Sequence, residues 1–79
     1  MNWQELRKLK GKRITLFCLN YIYTGKLEEV DDSSVKLSDA AIVYETGDLT
    51  RSTKWKDAQA LPGDWYVALA SIESFGIMK

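Results

Sequence analysis

The sequence predicts a mostly β domain with one short N-terminal helix followed by five strands, the second of which is bent. Three observations carry this prediction: the hydrophobic period changes from about 3.6 to 2 after Gly11, polar turns separate the apolar runs, and Gly25 interrupts the second run. A glycine inside a strand commonly marks a bulge or bend of the kind that curls a sheet into a barrel.

The helix is predicted over residues 2–10. Asn2 with Glu5 three positions later resembles a capping box, and Trp3, Leu6 and Leu9 share one face. The glycine that follows supplies a stop. Because a helix of about two turns has no stability alone, we expect its apolar edge to lie on the sheet.

Five strands are predicted, at residues 13–19, 22–30, 35–44, 65–70 and 72–78. In the first, Ile14, Leu16 and Cys18 alternate toward one side, while Phe17 and Leu19 occupy the other and need a cover. Residues 46–63 are predicted to form a long variable loop, because they are polar, lack alternation and contain glycine and proline.

The composition narrows the chemistry of this 79-residue chain, which we interpret as one domain. There is no histidine, which removes the His-based nucleophile systems and most zinc sites, and the single cysteine is expected to be a small buried hydrophobe. No phosphate-binding glycine motif occurs. We therefore predict no enzymatic activity, no cofactor and no metal site. Acids at 28, 29, 31 and 32 offer Mg²⁺ ligands as the alternative, but adjacent acids at a turn usually face solvent.

A cytoplasmic location and association between subunits are also predicted. The sequence shows no apolar stretch long enough to cross a membrane and no visible signal peptide. A domain with so small a core and no disulfide is only marginally stable as a monomer, which favours association into an oligomer. Tyr23, Tyr44 and Tyr66 are expected to fill the core or an interface.

Charge is unevenly distributed although the net charge is zero. Five of the eleven basic residues fall between positions 7 and 13, and four acids fall between positions 28 and 32. Zero net charge argues mildly against a dedicated duplex-DNA binder. Ordinary solvated surface remains the alternative interpretation of the basic run.

The order and spacing of these features resemble the Sm family, including its LSm and bacterial Hfq branches. The resemblance rests on the helix, on residues 9–14, on Gly25-Lys26-Leu27, on Val30-Asp31-Asp32 and on residues 35–40. It covers residues 3–44 well and 65–77 loosely. It implies an Sm-like (SH3-like), strongly bent five-stranded antiparallel barrel, with a first motif at 12–44 and a second at 65–78. It also implies that the barrels close into a homo-oligomeric ring by pairing of strand 65–70 with strand 72–77 of the next subunit.

The resemblance also implies that the ring binds single-stranded RNA in a pocket built by two loops. Those loops correspond here to Asp31, Ser33 and Ser34, and to Ser71. The stacking position falls on Ser33, which cannot stack on a base, and residues 69–71 contain no cation. The usual pocket is therefore incomplete in this sequence.

Three further surfaces are candidate nucleic-acid contacts. Phe17 aligns with an aromatic residue that Hfq uses to stack adenines, although packing under a neighbouring subunit or loop is the alternative. The second surface is a basic stretch that would follow phosphates: Arg7, Lys8, Lys10, Lys12 and Arg13. The third interleaves cations with an aromatic residue: Arg51, Lys54, Trp55 and Lys56. Trp55 folded onto the barrel is the alternative there.

Two functions follow as hypotheses. The first is an Sm-like ring that binds single-stranded RNA, or alternatively DNA, as a non-enzymatic scaffold or chaperone. The second is a barrel of the same kind that serves only protein–protein association, with loop 46–63 as the docking segment. A steep loss of affinity with salt distinguishes the first from the second.

Overall fold

The structure is a computed structural model that describes residues 3–50 and 54–78. It contains one helix, six strands and a 3₁₀ turn. In chain order these are α1 (Gln4–Arg7), β1 (Arg13–Cys18), β2 (Ile22–Val30), β3 (Ser34–Glu45), β4 (Asp57–Ala60), β5 (Trp65–Ala68), the 3₁₀ turn Leu69–Ser71 and β6 (Ile72–Gly76). The mostly β prediction with a short N-terminal helix is confirmed.

All six strands form one antiparallel sheet whose main path is β4-β3-β2-β1-β6. β3 is twelve residues long and serves two partners: its first half pairs with β5, and its second half pairs with β4. The strand count of five was therefore wrong. Among the described strands, no pairing joins β6 to β4 or β5, so the sheet does not close on itself.

The missed strand is β4, which lies inside the segment predicted to be a loop. Its sequence, Asp-Ala-Gln-Ala, has little β propensity, and all four residues are exposed. Backbone pairing with residues 41–45 of β3, not side-chain burial, holds it in place. Hydrophobic alternation could not reveal a strand that buries nothing.

The sheet bends sharply where β2 crosses β3 at Gly25. A Cβ added to Gly25 would lie 3.1 Å from Ala40 Cα and 3.2 Å from Leu37 Cβ, which is closer than ordinary packing. The pairing register between β2 and β3 also shifts next to this residue. A side chain at this position would force the neighbouring backbone of β3 to move by a few tenths of an ångström, in keeping with the bend that the sequence predicted at this glycine.

The buried apolar residues of the described chain form one cluster against this sheet. It consists of Leu6, Ile14, Leu16, Leu27, Val35, Leu37, Ala40, Val67, Leu69 and Ile72. Ile14 and Leu16 are fully buried, and half-buried Cys18 packs against them, so the predicted inward face of the first strand is confirmed. On the opposite face, Leu19 is 67% exposed.

The helix is shorter than the predicted 2–10. α1 ends at Arg7, and the chain continues in tighter turns in which Leu9 N–H donates to Leu6 O and Lys10 N–H donates to Arg7 O. Asn2 of the predicted capping box lies outside the described residues. Gly11, with φ of 87°, ends the segment as predicted and donates its N–H to Leu27 O at 2.8 Å. Leu6 is fully buried.

The second half of the chain also departs from the predicted bounds. The strand predicted over 65–70 stops at Ala68, because Leu69–Ser71 turns the chain as a 3₁₀ segment toward β1. β6 ends at Gly76 instead of residue 78, while Met78 O accepts a hydrogen bond from Thr15 Oγ1 at 2.9 Å. No helix in the described part of the chain is long and apolar enough to span a membrane.

Candidate nucleic-acid interface

The two loops that the resemblance implicates lie against each other. Ser33, in the turn between β2 and β3, accepts a hydrogen bond through its carbonyl from Leu69 N–H at 2.9 Å. This contact joins the β2–β3 turn to the 3₁₀ turn between β5 and β6. The pairing of Ser34 with Ala68 brings the same two elements into register.

Asp31 organises the first of these loops. Its Oδ1 accepts hydrogen bonds from the backbone N–H groups of Ser33 and Ser34, both at 2.8 Å, and the Ser34 hydroxyl lies 3.3 Å from each carboxylate oxygen. These backbone donors hold the pKa of Asp31 below its ordinary value. Its carboxylate therefore shapes the turn, and the oxygen that makes most of these bonds is already engaged.

Ser71 belongs to the second loop, and its polar groups make hydrogen bonds to nearby backbone. Its hydroxyl donates to Ala68 O at 2.8 Å, and its carbonyl accepts from Leu19 N–H at 2.9 Å. Burial raises the pKa of the neighbouring Cys18 thiol more than a hydrogen bond with Ser71 lowers it. The two loops together, referred to as the loop notch, thus contribute polar groups from Ser33, Ser34 and Ser71, and their residues 31–34 and 69–71 include no aromatic residue and no cation.

The basic stretch divides into paired and unpaired members. Lys8 lies 3.1 Å from Glu5 and Arg13 lies 3.3 Å from Asp39. The other three residues of the stretch, Arg7, Lys10 and Lys12, make no ion pair within the described residues. Lys26 of β2 is a fourth basic residue without such a pair, so the set is Arg7, Lys10, Lys12 and Lys26. We refer to these four as the basic surface.

Geometry explains why Lys26 belongs to the basic surface. It pairs with Arg13 across β1 and β2, so strand register places a residue thirteen positions away in sequence next to the C-terminal end of the basic stretch. A depression of about 250 Å³ is lined by Arg7, Lys10, Glu29 and Val30. The two cations there attract a phosphate, whereas the carboxylate of Glu29 opposes it.

The basic residues of segment 51–56 offer fewer free positive charges for nucleic acid than the sequence implied. Arg51 lies outside the described residues. Lys56 lies 3.1 Å from Glu45, which commits it to an ion pair next to β4, and Lys54 is exposed. Trp55 is half-buried and its indole nitrogen is fully buried, so its ring is not presented as an open stacking surface.

Phe17 lies within the sheet, in the strand where the sequence placed it. It is half-buried in β1, between Ile22 of β2 and Ser74 of β6. The described nucleic-acid residues of the prediction therefore fall in four separate places: the loop notch, the segment around α1, the centre of the sheet and the segment that precedes β4. The structure does not gather them into one pocket.

The structure also exposes aromatic residues that sequence reasoning assigned to the core or an interface. Tyr44 and Tyr66 are 59% and 60% exposed, and Tyr21, which the sequence placed only in a turn, is 52% exposed. Tyr23 is half-buried and packs against the core. Their positions near strand ends were the available sequence signal, because strand ends often leave the buried region.

No group of three or more potential metal-ligating side chains occurs among residues 3–50 and 54–78. Two of the four acids at positions 28–32 have other contacts. Glu28 accepts a short hydrogen bond from the Ser38 hydroxyl, and Asp31 closes its turn.

Comparison of the chain with protein-family models, with curated proteins and with solved structures found no match to any of them.

Proposed function

We propose that this protein is an Sm-like ring subunit that binds single-stranded nucleic acid, RNA in the first instance, as a non-enzymatic scaffold or chaperone. The observation that carries the proposal is the hydrogen bond between Ser33 O and Leu69 N–H, 2.9 Å long. It brings together the two loops from which an Sm-like base pocket is built, although they are far apart in sequence. The strand order, with β1 between β2 and β6 and with β5 on β3, supports the same assignment.

The open strand edges support the ring. β5 pairs only with β3 and β6 pairs only with β1 among the described strands, so each offers a free backbone edge. Free edges are a hazard that proteins usually cover. Pairing β5 of one subunit with β6 of the next covers both edges and repeats around a closed ring.

The basic surface supplies the electrostatic part of the proposal. Phosphate contacts provide most of the sequence-independent affinity for nucleic acid, and a ring repeats every cation once per subunit. Because the loop notch lacks a stacking ring, we propose that the basic surface contributes more to affinity than the notch. The notch then reads polar base edges through Ser33, Ser34 and Ser71.

Native mass spectrometry of protein purified without nuclease tests this proposal in one spectrum. A closed oligomer of about five to eight copies that carries RNA supports the ring and its function together. A bare ring contradicts RNA binding and leaves protein association as the function. A stable monomer contradicts the Sm-like ring altogether.

A further inference from the structure

Three tyrosines meet at the end of the β2–β3 pair, away from the basic surface. Tyr21 precedes β2, Tyr23 lies within β2, and Tyr44 lies near the end of β3. Because Tyr23 pairs with Ile42 and Ile22 pairs with Val43, the register places Tyr44 beside Tyr21 on the face that Tyr23 shares. We refer to Tyr21, Tyr23 and Tyr44 as the tyrosine patch.

The rings of the tyrosine patch are arranged at an angle to one another. The centroids of Tyr21 and Tyr23 are 6.3 Å apart and their planes are inclined by 64°. Tyr23 is anchored against the core, whereas Tyr21 and Tyr44 are 52% and 59% exposed. Two exposed aromatic side chains supported by a third are unusual on a surface with no binding role.

The charges around the tyrosine patch are acidic on balance. Glu45 follows Tyr44 directly and is paired with Lys56 at 3.1 Å, while Asp57 faces Glu45 across β3 and β4. These three described groups, one positive and two negative, sum to a charge of minus one. The Phe17–Ile22 pair lies next to the tyrosine patch, because Ile22 stands between Tyr21 and Tyr23. The Arg13–Lys26 pair lies four residue pairs further along β1 and β2, which places it about 13 Å from Phe17–Ile22. The local field therefore favours a cation over a phosphate chain.

We propose that the tyrosine patch binds the side chain of a methylated lysine carried by a partner protein. The faces of aromatic rings attract cations that lie within about 6 Å of the ring centroid. A trimethylammonium group spreads its charge over a large, weakly hydrated surface, so it loses little hydration when it contacts tyrosine rings. Glu45 and Asp57 add long-range attraction for the positively charged segment that carries it. The site is independent of RNA binding.

The test is an NMR titration of the intact chain with a short peptide that contains trimethyl-lysine. The matched probe is the same peptide in which a carbon atom replaces the charged nitrogen, which preserves shape and removes charge. We expect chemical shift changes at Tyr21, Tyr23 and Tyr44 and at least about fivefold tighter binding of the charged peptide. Equal binding of the two peptides, or no shift changes at millimolar peptide, overturns the proposal.

Variants localise the effect. Tyr21→Leu and Tyr44→Leu are expected to weaken binding at least about fivefold, whereas Tyr44→Phe retains the ring and binds within about twofold. Tyr66→Leu is the matched control, because Tyr66 is 60% exposed and lies on β5 outside the tyrosine patch. Full binding by both leucine variants of the tyrosine patch, with NMR spectra typical of a folded protein, contradicts the proposal. So does displacement of the peptide by a single-stranded oligonucleotide that shifts the same tyrosine signals.

Discussion

Arg13 holds the backbone of Asp39 in a left-handed conformation. Its Nη1 donates to the carbonyl oxygen of Asp39 at 3.0 Å and to the carboxylate Oδ2 at 3.3 Å. Asp39 has φ of 48°, and among the described residues it is the one non-glycine residue with positive φ. The first strand thereby fixes the irregular step in β3 that lies opposite the bend at Gly25.

The conformation of Asp39 matters more for stability than its charge. The side chain of Asp39 is 92% exposed, so its ion pair with Arg13 contributes little. We expect Asp39→Asn to change the free energy of unfolding by less than about 0.5 kcal/mol, because asparagine tolerates this region. Asp39→Val should lower it by about 1–2 kcal/mol. Urea unfolding at fixed protein concentration measures both. Equal losses in the two variants would show that the ion pair dominates.

Gly25 should not accept a side chain. Gly25→Ala is expected to lower the free energy of unfolding by about 1–3 kcal/mol, since its Cβ would lie 3.1 Å from Ala40 Cα and 3.1 Å from Ser38 O. Gly76→Ala is the matched control, because a Cβ there meets nothing within 4 Å. Thermal unfolding of the two variants compares them directly. A neutral Gly25→Ala would contradict the close approach of β2 to β3.

Acid should weaken the β2–β3 turn. Because backbone hydrogen bonds from Ser33 and Ser34 lower the pKa of Asp31, its contribution is present above the usual aspartate pKa and is lost as pH falls through the lowered value. Asp31→Ala should therefore be less stable than the natural protein at pH 7, and the difference should shrink below about pH 4. Denaturation midpoints from pH 7 to pH 2 measure it. A difference that stays constant over this range would contradict the assignment.

Salt dependence separates the basic surface from other lysines. If RNA binds there, Lys10→Gln and Lys26→Gln should each reduce the slope of log affinity against log salt by about 0.7 for every phosphate that the variant no longer neutralises. Lys56→Gln removes the same charge from a lysine that lies 3.1 Å from Glu45 beside β4, outside the basic surface, and it should leave the slope unchanged. Fluorescence anisotropy with a labelled single-stranded oligonucleotide measures the slopes. Equal slopes for all three variants would place the phosphates elsewhere.

Buried alternation made most of the fold predictable. Ile14 and Leu16 alternate with other residues along the first strand, so both point to the same face of the sheet, and that face is buried. Gly11 and Gly25 occupy backbone positions that other residues adopt only at a cost in free energy. β4 was not predictable, because Asp57–Ala60 buries no side chain and depends on the backbone of β3. The end of β5 was misplaced because Leu69 is as apolar in a 3₁₀ turn as it would be in a strand.

The candidate site was predictable only where it is local in sequence. The run from Arg7 to Arg13 was visible, but the split between Lys8, which pairs with Glu5, and unpaired Lys10 depends on side-chain geometry. Lys26 joins the basic surface only through strand register. The tyrosine patch has the same origin, since Tyr21 and Tyr44 are 23 positions apart in the sequence.

The pairing of β1 with β6 has a consequence for the chain during its synthesis. β1 can pair with β2 as soon as their short hairpin has been synthesised, but its other edge cannot pair until residues 72–76 exist. The Thr15 hydroxyl likewise has no Met78 O to bind until 63 further residues have been added. A ribosome adds about 5–20 residues per second, so that edge stays open for several seconds in every nascent chain. During that interval the β1 edge is free to pair with the wrong strand, and only the emergence of β6 ends the exposure.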